Sequence, residues 1–352
     1  MSQIKIFANS RQAMLKKPTG KGVYAKNILK LLAQKPDIKL TMLASKPWLK
    51  FGLWHFYALY KVIKHKPDIY FDPESYITPF IISLFTKTQV IVTVHDLVAF
   101  KFAKGHFLKS IIIERLFLPL LVKLKTVQFF CISEFSKQQF IEHFSIDSKR
   151  VHLTPLGFNM PQLKQQTKVP SSESKPLIIV CISTFLERKN QLNLVYEFSL
   201  IKDRIKHNLY LVGGGDSRYV RKVQDLILKL GLENRVFITG YVCEQEKLRL
   251  LLQAEFTVYP SLYEGFGLPL LESLAFKKPV ITTKSTVMQE VLGEAGLYYD
   301  PRKTTDLAFQ MSFLAHNKEF QQQLLEHSKT VLKKYSWQKT ANQAYKVFKS
   351  LA

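Results

Sequence analysis

Two glutamates flank a pair of glycines and a proline in the segment YEGFGLPLLESLAF. Glu264 lies in a loop after a strand-like segment, and Glu272 lies in the helical segment LPLLESLAF, which has Pro269 at its start. Proline suits a first helical position, glycines let backbone amides approach a ligand, and a helix amino terminus attracts anions. The pattern predicts a ligand whose hydroxyl groups meet the two carboxylates and whose phosphates meet the amides between them. Taken singly, Glu272 also fits a charge that favours the helix dipole, and Glu264 fits a solvated loop charge.

A pair of cations follows the strand-like segment LIIVCIST. Arg188 and Lys189 directly precede Asn190, which we expect to cap the next helix. Two adjacent cations at this point suit a diphosphate, which an arginine can bind through two parallel hydrogen bonds. The alternative is a surface pair at a helix start, where positive charge is mildly unfavourable.

Three further motifs also follow strand-like segments. The glycine turn LVGGGD at 211–216 is weak evidence by itself. Gly20 and Gly22 open a helix and predict a second loop for close approach, although no acidic residue about 20 positions on completes a dinucleotide fingerprint. His95 ends the strand VTVHD, where a structural role and a ligand-facing role are both consistent with the sequence.

The sequence contains no Asp-x-Asp and no His, Cys or Asp cluster with metal-ligand spacing. We therefore expect a diphosphate leaving group to be neutralised by Arg188, Lys189 and helix amides, without a metal or another cofactor. The three cysteines, Cys131, Cys181 and Cys243, are far apart and predict reduced thiols in a cytosolic protein.

The elements that must position these residues alternate along the chain. Apolar strands separated by amphipathic helices predict parallel sheets covered on both faces. The polar segment 161–176 has the composition of a linker. We predict two doubly wound α/β, Rossmann-like domains at 1–160 and 177–334 and a terminal helix at 335–352. Such domains bind ligands at the carboxyl ends of their strands, here in a cleft between the domains.

The formal net charge is +24, with 24 Lys and Arg against 9 Asp and Glu in residues 1–160. This excess favours anionic partners, and a lysine-rich solvated surface is the alternative. Segments 45–66 and 101–125 mix lysine with aromatic and aliphatic residues, which is typical of helices on an anionic bilayer but equally of helices that cover a sheet.

No nucleic-acid-binding motif is found, so nucleic acid is not an expected partner. No signal peptide is recognised, and no uninterrupted apolar run reaches the roughly 18 residues of a spanning helix. We expect a cytoplasmic protein with peripheral contact to the inner face of the plasma membrane.

Together these motifs resemble the retaining glycosyltransferase family 4 (group 1) enzymes, particularly the mannosyl- and rhamnosyltransferase-like members. The likeness covers nearly the whole chain and is most specific at EGFGLPLLE, a Glu-x7-Glu motif. VHDL, CISEFSKQQF and TPLGFN resemble motifs of the family's acceptor-binding domain. Two loops depart from the pattern: Ser183 stands where the family often has glycine, and KGV at 21–23 replaces a hydrophobic-Gly-Arg run.

The resemblance implies the GT-B fold, with the last helix crossing back onto the N-terminal, acceptor-binding domain. It implies retaining, metal-independent transfer of a hexose from a nucleotide-diphosphate sugar, either GDP-mannose or a UDP-hexose. The acceptor would be a glycan or lipid-linked molecule in surface polysaccharide or glycolipid synthesis. The donor substrate would be bound by the C-terminal domain, with no cofactor.

The resemblance also implies two sets of site residues and no metal ligands. The catalytic set comprises Glu264, His95, Arg188 and Lys189. The donor-binding set comprises Gly20, Gly22, Ser183, Tyr241, Val242, Gly265, Phe266, Gly267, Leu268 and Glu272.

Within these sets the implied roles differ. The two cations would hold the diphosphate, Glu272 the ribose hydroxyls and Glu264 the donor sugar, while His95 would face the reacting sugar. Gly20 and Gly22 would line the phosphate side, and residues 241 and 242 would lie near the base.

The residues leave several alternatives open. The leaving phosphate accepts the acceptor's proton in one mechanism, whereas Glu264 is a covalent nucleophile in the other. A nucleotide-sugar 2-epimerase or a phosphorylase shares the scaffold, although the first does not need the Glu-x7-Glu spacing and the second needs a pyridoxal-bearing lysine and a longer chain. A basic, non-catalytic protein that binds membranes or polyanions is the remaining alternative.

Overall fold

The computed structural model describes residues 3–15, 19–44, 52–102, 108–160 and 177–352. The chain divides into two compact units, one comprising Met1–Gly157 with Tyr335–Ala352 and the other Phe158–Lys334. The predicted linker at 161–176 lies outside the described residues.

The first unit contains a parallel sheet of six strands in the order β2-β1-β3-β4-β5-β6. The strands are β1 (Ile4–Asn9), β2 (Ile38–Leu43), β3 (Ile69–Asp72), β4 (Gln89–Val94), β5 (Val127–Cys131) and β6 (Val151–Leu153). Strands β1, β3, β4 and β5 read as nearly continuous apolar runs because helices cover both faces of a parallel sheet.

Six helices connect these strands: α1 (Gly20–Leu32), α2 (Leu53–His65), α3 (Ile77–Phe85), α4 (Val98–Lys101), α5 (Leu108–Lys123) and α6 (Glu134–Phe144). The chain moves in one direction across the sheet from β3 to β6, and right-handed crossovers therefore place α2, α3, α5 and α6 on one face. One apolar cluster joins these four helices to the strands. Helix α1 covers the opposite face.

The second unit repeats this plan with the strand order β12-β11-β10-β7-β8-β9, again parallel throughout. The strands are β7 (Ile178–Ile182), β8 (Asn208–Val212), β9 (Val236–Gly240), β10 (Ala254–Tyr259), β11 (Val280–Thr283) and β12 (Gly296–Tyr299). The strand order reverses between β7 and β10, as it does between β1 and β3 in the first unit. Each sheet therefore has one switch point, where loops diverge and a ligand can enter.

The helices of the second unit are α7 (Gln191–Ser199), α8 (Ser217–Lys229), α9 (Glu244–Gln253), α10 (Leu268–Ala275), α11 (Thr286–Leu292), α12 (Asp306–His316), α13 (Lys318–Glu326) and α14 (Ser328–Lys334). Because the direction of the connections changes at the switch point, α7 and α8 lie on one face and α9, α10 and α11 on the other.

The last helix, α15 (Trp337–Leu351), belongs to the first unit and packs against α1. Its Phe348 ring is fully buried, with its centroid 5.5 Å from that of Phe71 and 5.7 Å from that of Phe130. The Tyr345 hydroxyl donates a hydrogen bond of 2.5 Å to Asp37. The chain thus returns to complete the outer layer of the first sheet. Across the described ranges, no helix has the length and apolarity to cross a membrane.

Candidate functional site

Three charged side chains meet at the switch point of the second unit. Arg188 and Lys189 follow β7, Glu264 follows β10, and these strands are neighbours in the sheet. Arg188 Nη1 donates to Glu264 Oε2 at 2.9 Å and to the Tyr263 carbonyl at 3.0 Å. Lys189 Nζ contacts the other carboxylate oxygen, Oε1. We call Arg188, Lys189 and Glu264 the ion cluster.

The ion cluster is largely withdrawn from solvent, since its side chains are only 14–16% exposed. Burial alone would raise the pKa of Glu264, but the charges of Lys189 and Arg188 outweigh it and bring the pKa down to about 2. Glu264 is therefore ionised at neutral pH. Arg188 Nε is buried and has no hydrogen-bond partner within the described residues. A buried donor without an acceptor is unfavourable, and an oxygen of an anionic ligand would satisfy it.

A small cavity of about 20 Å³ adjoins the ion cluster and is lined by Ile182, Ser183, Lys189, Tyr259, Ser261, Glu264, Gly267, Pro269, Leu270 and Met288. Its volume is near what a single water molecule requires, so it marks where polar groups converge and does not outline a ligand. Ser183 and Gly267, two of the predicted donor-binding residues, thus line the same cavity as Lys189 and Glu264.

Helix α10 begins at Leu268, where the predicted helical segment LPLLESLAF begins. Gly267 precedes it with φ 110°, a left-handed conformation that favours glycine. Pro269 therefore occupies the second helical position, one residue after the position for which its ring is suited. Gly265 and Phe266 are buried, whereas Leu268 is half-buried.

Glu272 projects from α10 towards α9 and forms a separate pair. Lys247 Nζ donates to both of its carboxylate oxygens, at 2.9 and 3.0 Å, and also lies 3.0 Å from Glu244. Burial raises the pKa of Glu272, although the Lys247 charge opposes that shift. The sequence analysis missed Lys247, because no motif marks it and only the placement of α9 and α10 on one face of the sheet brings it to Glu272.

The turns after β7 and β8 pack tightly together through glycine. A Cβ atom on Gly213 would lie 2.2 Å from the Ser183 carbonyl oxygen, and one on Gly215 would lie 2.3 Å from that of Phe185. The LVGGGD turn is thus explained by close backbone approach. Ser183 Oγ accepts a hydrogen bond of 2.8 Å from the buried Gln191, another residue that the sequence analysis missed.

Asn190 does not cap α7 as we expected. Its backbone is left-handed at φ 59°, and its side chain makes no capping hydrogen bond.

Two further predicted residues, Tyr241 and Val242, follow β9. Tyr241 is 69% exposed, and its Cβ lies 3.7 Å from the position of a Cβ on Gly214. Val242 packs on a small apolar cluster. The structure thus places Tyr241 at the carboxyl edge of the same sheet.

The first unit holds His95 at the carboxyl end of β4, with only 6% of the residue exposed. Its Nε2 lies 2.8 Å from the Pro73 carbonyl oxygen, so Nε2 carries the proton and Nδ1 is left as an acceptor. Burial lowers the pKa of His95 to about 4, and the positive charge of Lys21 acts in the same direction. The imidazole is therefore neutral at pH 7.

The switch point of the first unit contains a carboxylate network that the sequence analysis missed. Asp72, at the end of β3, accepts hydrogen bonds from Asn9 Nδ2 at 3.0 Å, from the Tyr70 hydroxyl at 3.1 Å and from the amides of residues 74 and 75. Glu74 accepts from the amides of residues 12 and 13, in the loop after β1. The network ties the two diverging loops together.

Gly20 and Gly22 lie in the first turn of α1, as expected. The Thr19 hydroxyl caps this turn by accepting from the Gly22 amide at 3.5 Å, and a Cβ on Gly20 would meet nothing within 4 Å.

In the part of the chain that the structure describes, no three His, Cys, Asp or Glu side chains are grouped closely enough to hold a metal ion.

These two sheets have a counterpart among solved structures. Anabaena Alr3699/HepE, crystallised with UDP and glucose, matches 99% of this chain and 100% of its own, with a TM-score of 0.76 and 17% identity. At this identity the likeness concerns the fold alone. Two parallel six-stranded sheets with flanking helices place the chain in the GT-B class of α/β proteins.

Sequence comparison finds similarity to one family over part of the chain. Residues 164–331 match the family model described as "Glycosyl transferases group 1". The chain is 25% identical over 227 residues to O-antigen chain mannosyltransferase B of Escherichia coli, a match that covers 62% of this chain and 60% of the relative. It is 24% identical over 237 residues to the serotype-specific mannosyltransferase WbdA of Escherichia coli, covering 63% of this chain and 28% of the relative. Just under half of the chain is thus similar to the group 1 glycosyltransferases. The chain spans less than two thirds of the length of either relative.

Proposed function

We propose that the protein is a retaining glycosyltransferase that moves a hexose from a nucleotide-diphosphate sugar to a glycan or lipid-linked acceptor. The observation that carries this proposal is the ion cluster, in which two largely buried cations and a carboxylate meet at a switch point and Arg188 Nε has no acceptor among the described residues. The names of the mannosyltransferase relatives support GDP-mannose as donor, and the UDP bound by Alr3699/HepE supports a UDP-hexose.

Arg188 and Lys189 would hold the donor diphosphate. Fixed positive charge stabilises the negative charge that grows on the leaving phosphate as the glycosidic bond breaks. Because these cations are already in place, their reorganisation during the reaction is small. We therefore propose that transfer needs neither a divalent metal nor an organic cofactor.

The state of Glu264 bears on the choice of mechanism. Both carboxylate oxygens contact cations, and its pKa of about 2 makes the carboxylate a weak nucleophile. This favours a path in which the leaving phosphate accepts the acceptor's proton and the sugar keeps its anomeric configuration. Glu264 would then orient the two cations and accept a hydrogen bond from a hydroxyl of the donor sugar.

Most of the remaining predicted residues would bind neutral parts of the substrate. Glu272 would accept hydrogen bonds from the ribose hydroxyls, and the exposed Tyr241 would lie beside the base. His95, neutral and with Nδ1 as an acceptor, would bind a sugar hydroxyl and would not act as an acid. Gly20 and Gly22 would border the phosphates.

The similarity to O-antigen chain mannosyltransferase B supports a role in surface polysaccharide synthesis. A nucleotide-sugar 2-epimerase would instead leave its product on the nucleotide, and a non-catalytic protein would bind sugar nucleotides without turnover. Analysis of the released nucleotide and of the sugar's attachment by NMR distinguishes these three outcomes.

The proposal is tested by thermal unfolding in the presence of UDP-, GDP-, ADP- and dTDP-sugars. A true donor at 100 times its Kd adds about 2.7 kcal/mol to the stability of the folded state. Arg188→Ala should abolish this stabilisation, whereas Arg204→Ala, which removes an exposed arginine of the same unit, should preserve it. The proposal is wrong if every activated sugar leaves the unfolding temperature unchanged.

A further inference from the structure

Helix α2 of the first unit is apolar on two opposite faces. Trp54, Ala58 and Val62 are buried against the sheet. On the other side a stripe of large apolar residues is at least half exposed: Leu53 (54%), Phe56 (63%), Tyr60 (55%) and Ile63 (50%). A helix that covers a sheet normally carries polar residues on its outer face, so this stripe is not accounted for by the core.

Helix α5 has the same two-sided character. Ile111, Leu118 and Leu121 are buried. Its outer side carries Leu108 (70% exposed), Ile112 (55%) and Leu116 (54%), which recur every four residues and share one side of the helix. Between α2 and α5, helix α3 ends on Leu84 and Phe85, which are 53% and 67% exposed.

These exposed residues form one surface because the three helices lie side by side. Helix α3 packs against both α2 and α5, and all three contribute to the same apolar cluster on the same side of the sheet. Their outer stripes therefore point away from the sheet in a common direction. We call the outer surface of α2, α3 and α5 the apolar face.

The charge around the apolar face is predominantly positive. The three helices contain one acidic residue, Glu114, which is buried and forms an ion pair of 3.2 Å with Lys21. Their basic residues include Lys61, Lys64, Lys109, Arg115 and Lys123. A groove of about 520 Å³ at the ends of α2 and α3 adds Lys66 and Lys87 beside Ile63 and Phe85, together with one exposed carboxylate, Asp68. Cations thus border the exposed apolar side chains, with no exposed carboxylate on these helices to oppose them.

The second unit shows no comparable surface among its described residues. Its exposed large apolar side chains are spread over separate loops and over α7, α8 and α12, for example Tyr196, Leu228 and Phe309. Scattered residues of this kind are normal on a folded protein, whereas a contiguous apolar patch marks an interaction surface.

We propose that the apolar face docks on an anionic lipid bilayer. Apolar side chains from parallel helices would enter the boundary between head groups and acyl chains, while the surrounding lysines contact the lipid phosphates. The charge pattern selects this occupant, because anionic head groups are complementary to a face whose helices expose lysine and no carboxylate. This inference is independent of the proposed function: it would hold whatever reaction the chain catalyses.

The test is co-flotation of the full chain with vesicles. We expect binding to vesicles of equal parts phosphatidylcholine and phosphatidylglycerol, and little binding to vesicles of phosphatidylcholine alone. Lys64→Glu should lower the partition coefficient about 30-fold, because a charge reversal acts on binding as the loss of two surface cations. Phe56→Ser should lower it about tenfold through lost apolar contact.

Two matched variants of the second unit serve as controls. Lys229→Glu reverses a lysine in the last turn of α8, just as Lys64 lies in the last turn of α2. Phe309→Ser removes a phenylalanine that is 64% exposed, against 63% for Phe56. Both controls should bind anionic vesicles as the unaltered chain does.

Three results would overturn the inference. The first is failure of the unaltered chain to float with anionic vesicles, and the second is equal binding to neutral and anionic vesicles. The third is a dimer in sedimentation analysis that Phe56→Ser dissociates, which would show that a second copy of the chain covers the apolar face.

Discussion

The two switch points of this molecule carry carboxylates in the same topological position but in opposite electrostatic settings. In the second unit, Glu264 follows β10 and contacts two cations, so its pKa falls to about 2. In the first unit, Asp72 ends β3 and accepts only from amides, a hydroxyl and an asparagine. Burial and the nearby charge of Glu74 raise the pKa of Asp72 to about 7.

The comparison shows that the partners, and not the scaffold, set the charge of a buried carboxylate. Parallel strands and burial are common to both sites, and the difference is whether a cation replaces the lost hydration. Under the proposed function, the cations of the second unit would bind the charged diphosphate. His95 of the first unit, which is neutral at pH 7, would accept a hydrogen bond from a sugar hydroxyl.

Replacing each carboxyl group by its amide gives the largest contrast. Glu264→Gln leaves two buried cations without a counter-charge, so we expect a loss of about 3–5 kcal/mol in the free energy of unfolding. Asp72→Asn removes no ion pair and should change it by about 1 kcal/mol at pH 7. Urea-induced unfolding measures both. Equal losses in the two variants would show that the partners do not distinguish the sites.

Transfer activity should follow the same order. If Glu264 orients the diphosphate-binding cations, Glu264→Gln should lower kcat/KM about 100-fold or more. Asp72 lies in the first unit, so Asp72→Asn can affect transfer only through the loops after β1 and β3, and we expect a smaller loss. A loss in Asp72→Asn as large as that in Glu264→Gln would contradict the assignment of the diphosphate to the second unit.

The pH dependence of the free energy of unfolding should also distinguish the two carboxylates. The pKa of Asp72 is higher in the folded state, about 7, than its ordinary value of 3.8, so the folded state binds more protons and the stability from this group is lost as pH rises through 7. We expect Asp72→Asn to gain roughly 2–3 kcal/mol relative to the unaltered chain between pH 5 and pH 8.

Glu264 should not contribute to the change in stability between pH 5 and pH 8. Its folded pKa of about 2 lies below its ordinary value of 4.5, so its contribution is complete above pH 4.5 and is lost only as pH falls towards 2. A difference between Asp72→Asn and the unaltered chain that does not vary with pH would show that Asp72 stays ionised throughout. Unfolding midpoints measured across the range decide this.

Glu272 is intermediate between the other two carboxylates, because it contacts one cation, Lys247. We expect its disruption to give the smallest of the predicted effects. Lys247→Gln removes the charge that opposes the burial-driven rise in the pKa of Glu272. We expect donor affinity to fall by up to about tenfold, and to fall more at the lower of two pH values, because a protonated Glu272 accepts fewer hydrogen bonds. Isothermal titration calorimetry measures the affinity, with Lys222→Gln as an exposed control. A loss that is the same at both pH values would assign Lys247 a role other than keeping Glu272 ionised.

Much of the ion cluster could be predicted from the sequence. The apolar runs before Arg188, Lys189 and Glu264 indicated buried parallel strands, and parallel strands deliver the residues that follow them to one edge of a sheet. The carboxylate network around Asp72 could not be predicted, because two of its donors are backbone amides, which every sequence supplies, and Asn9 reaches it from a strand remote in sequence. Asn190 was assigned the wrong local role because the tight turn after β7 requires a left-handed backbone there.

The sequence by itself determined the alternation of strands and helices, the two-unit plan and the loops that carry the charged residues, since these depend on periodicity and on neighbours along the chain. Only the tertiary structure decided that Lys247 meets Glu272, that Arg188 and Lys189 share one carboxylate, and that α2, α3 and α5 combine their outer stripes. Each of these depends on strand order and on the side of the sheet that a helix covers. Such contacts join residues remote in sequence, and the packing of the sheet, which no local pattern encodes, selects them.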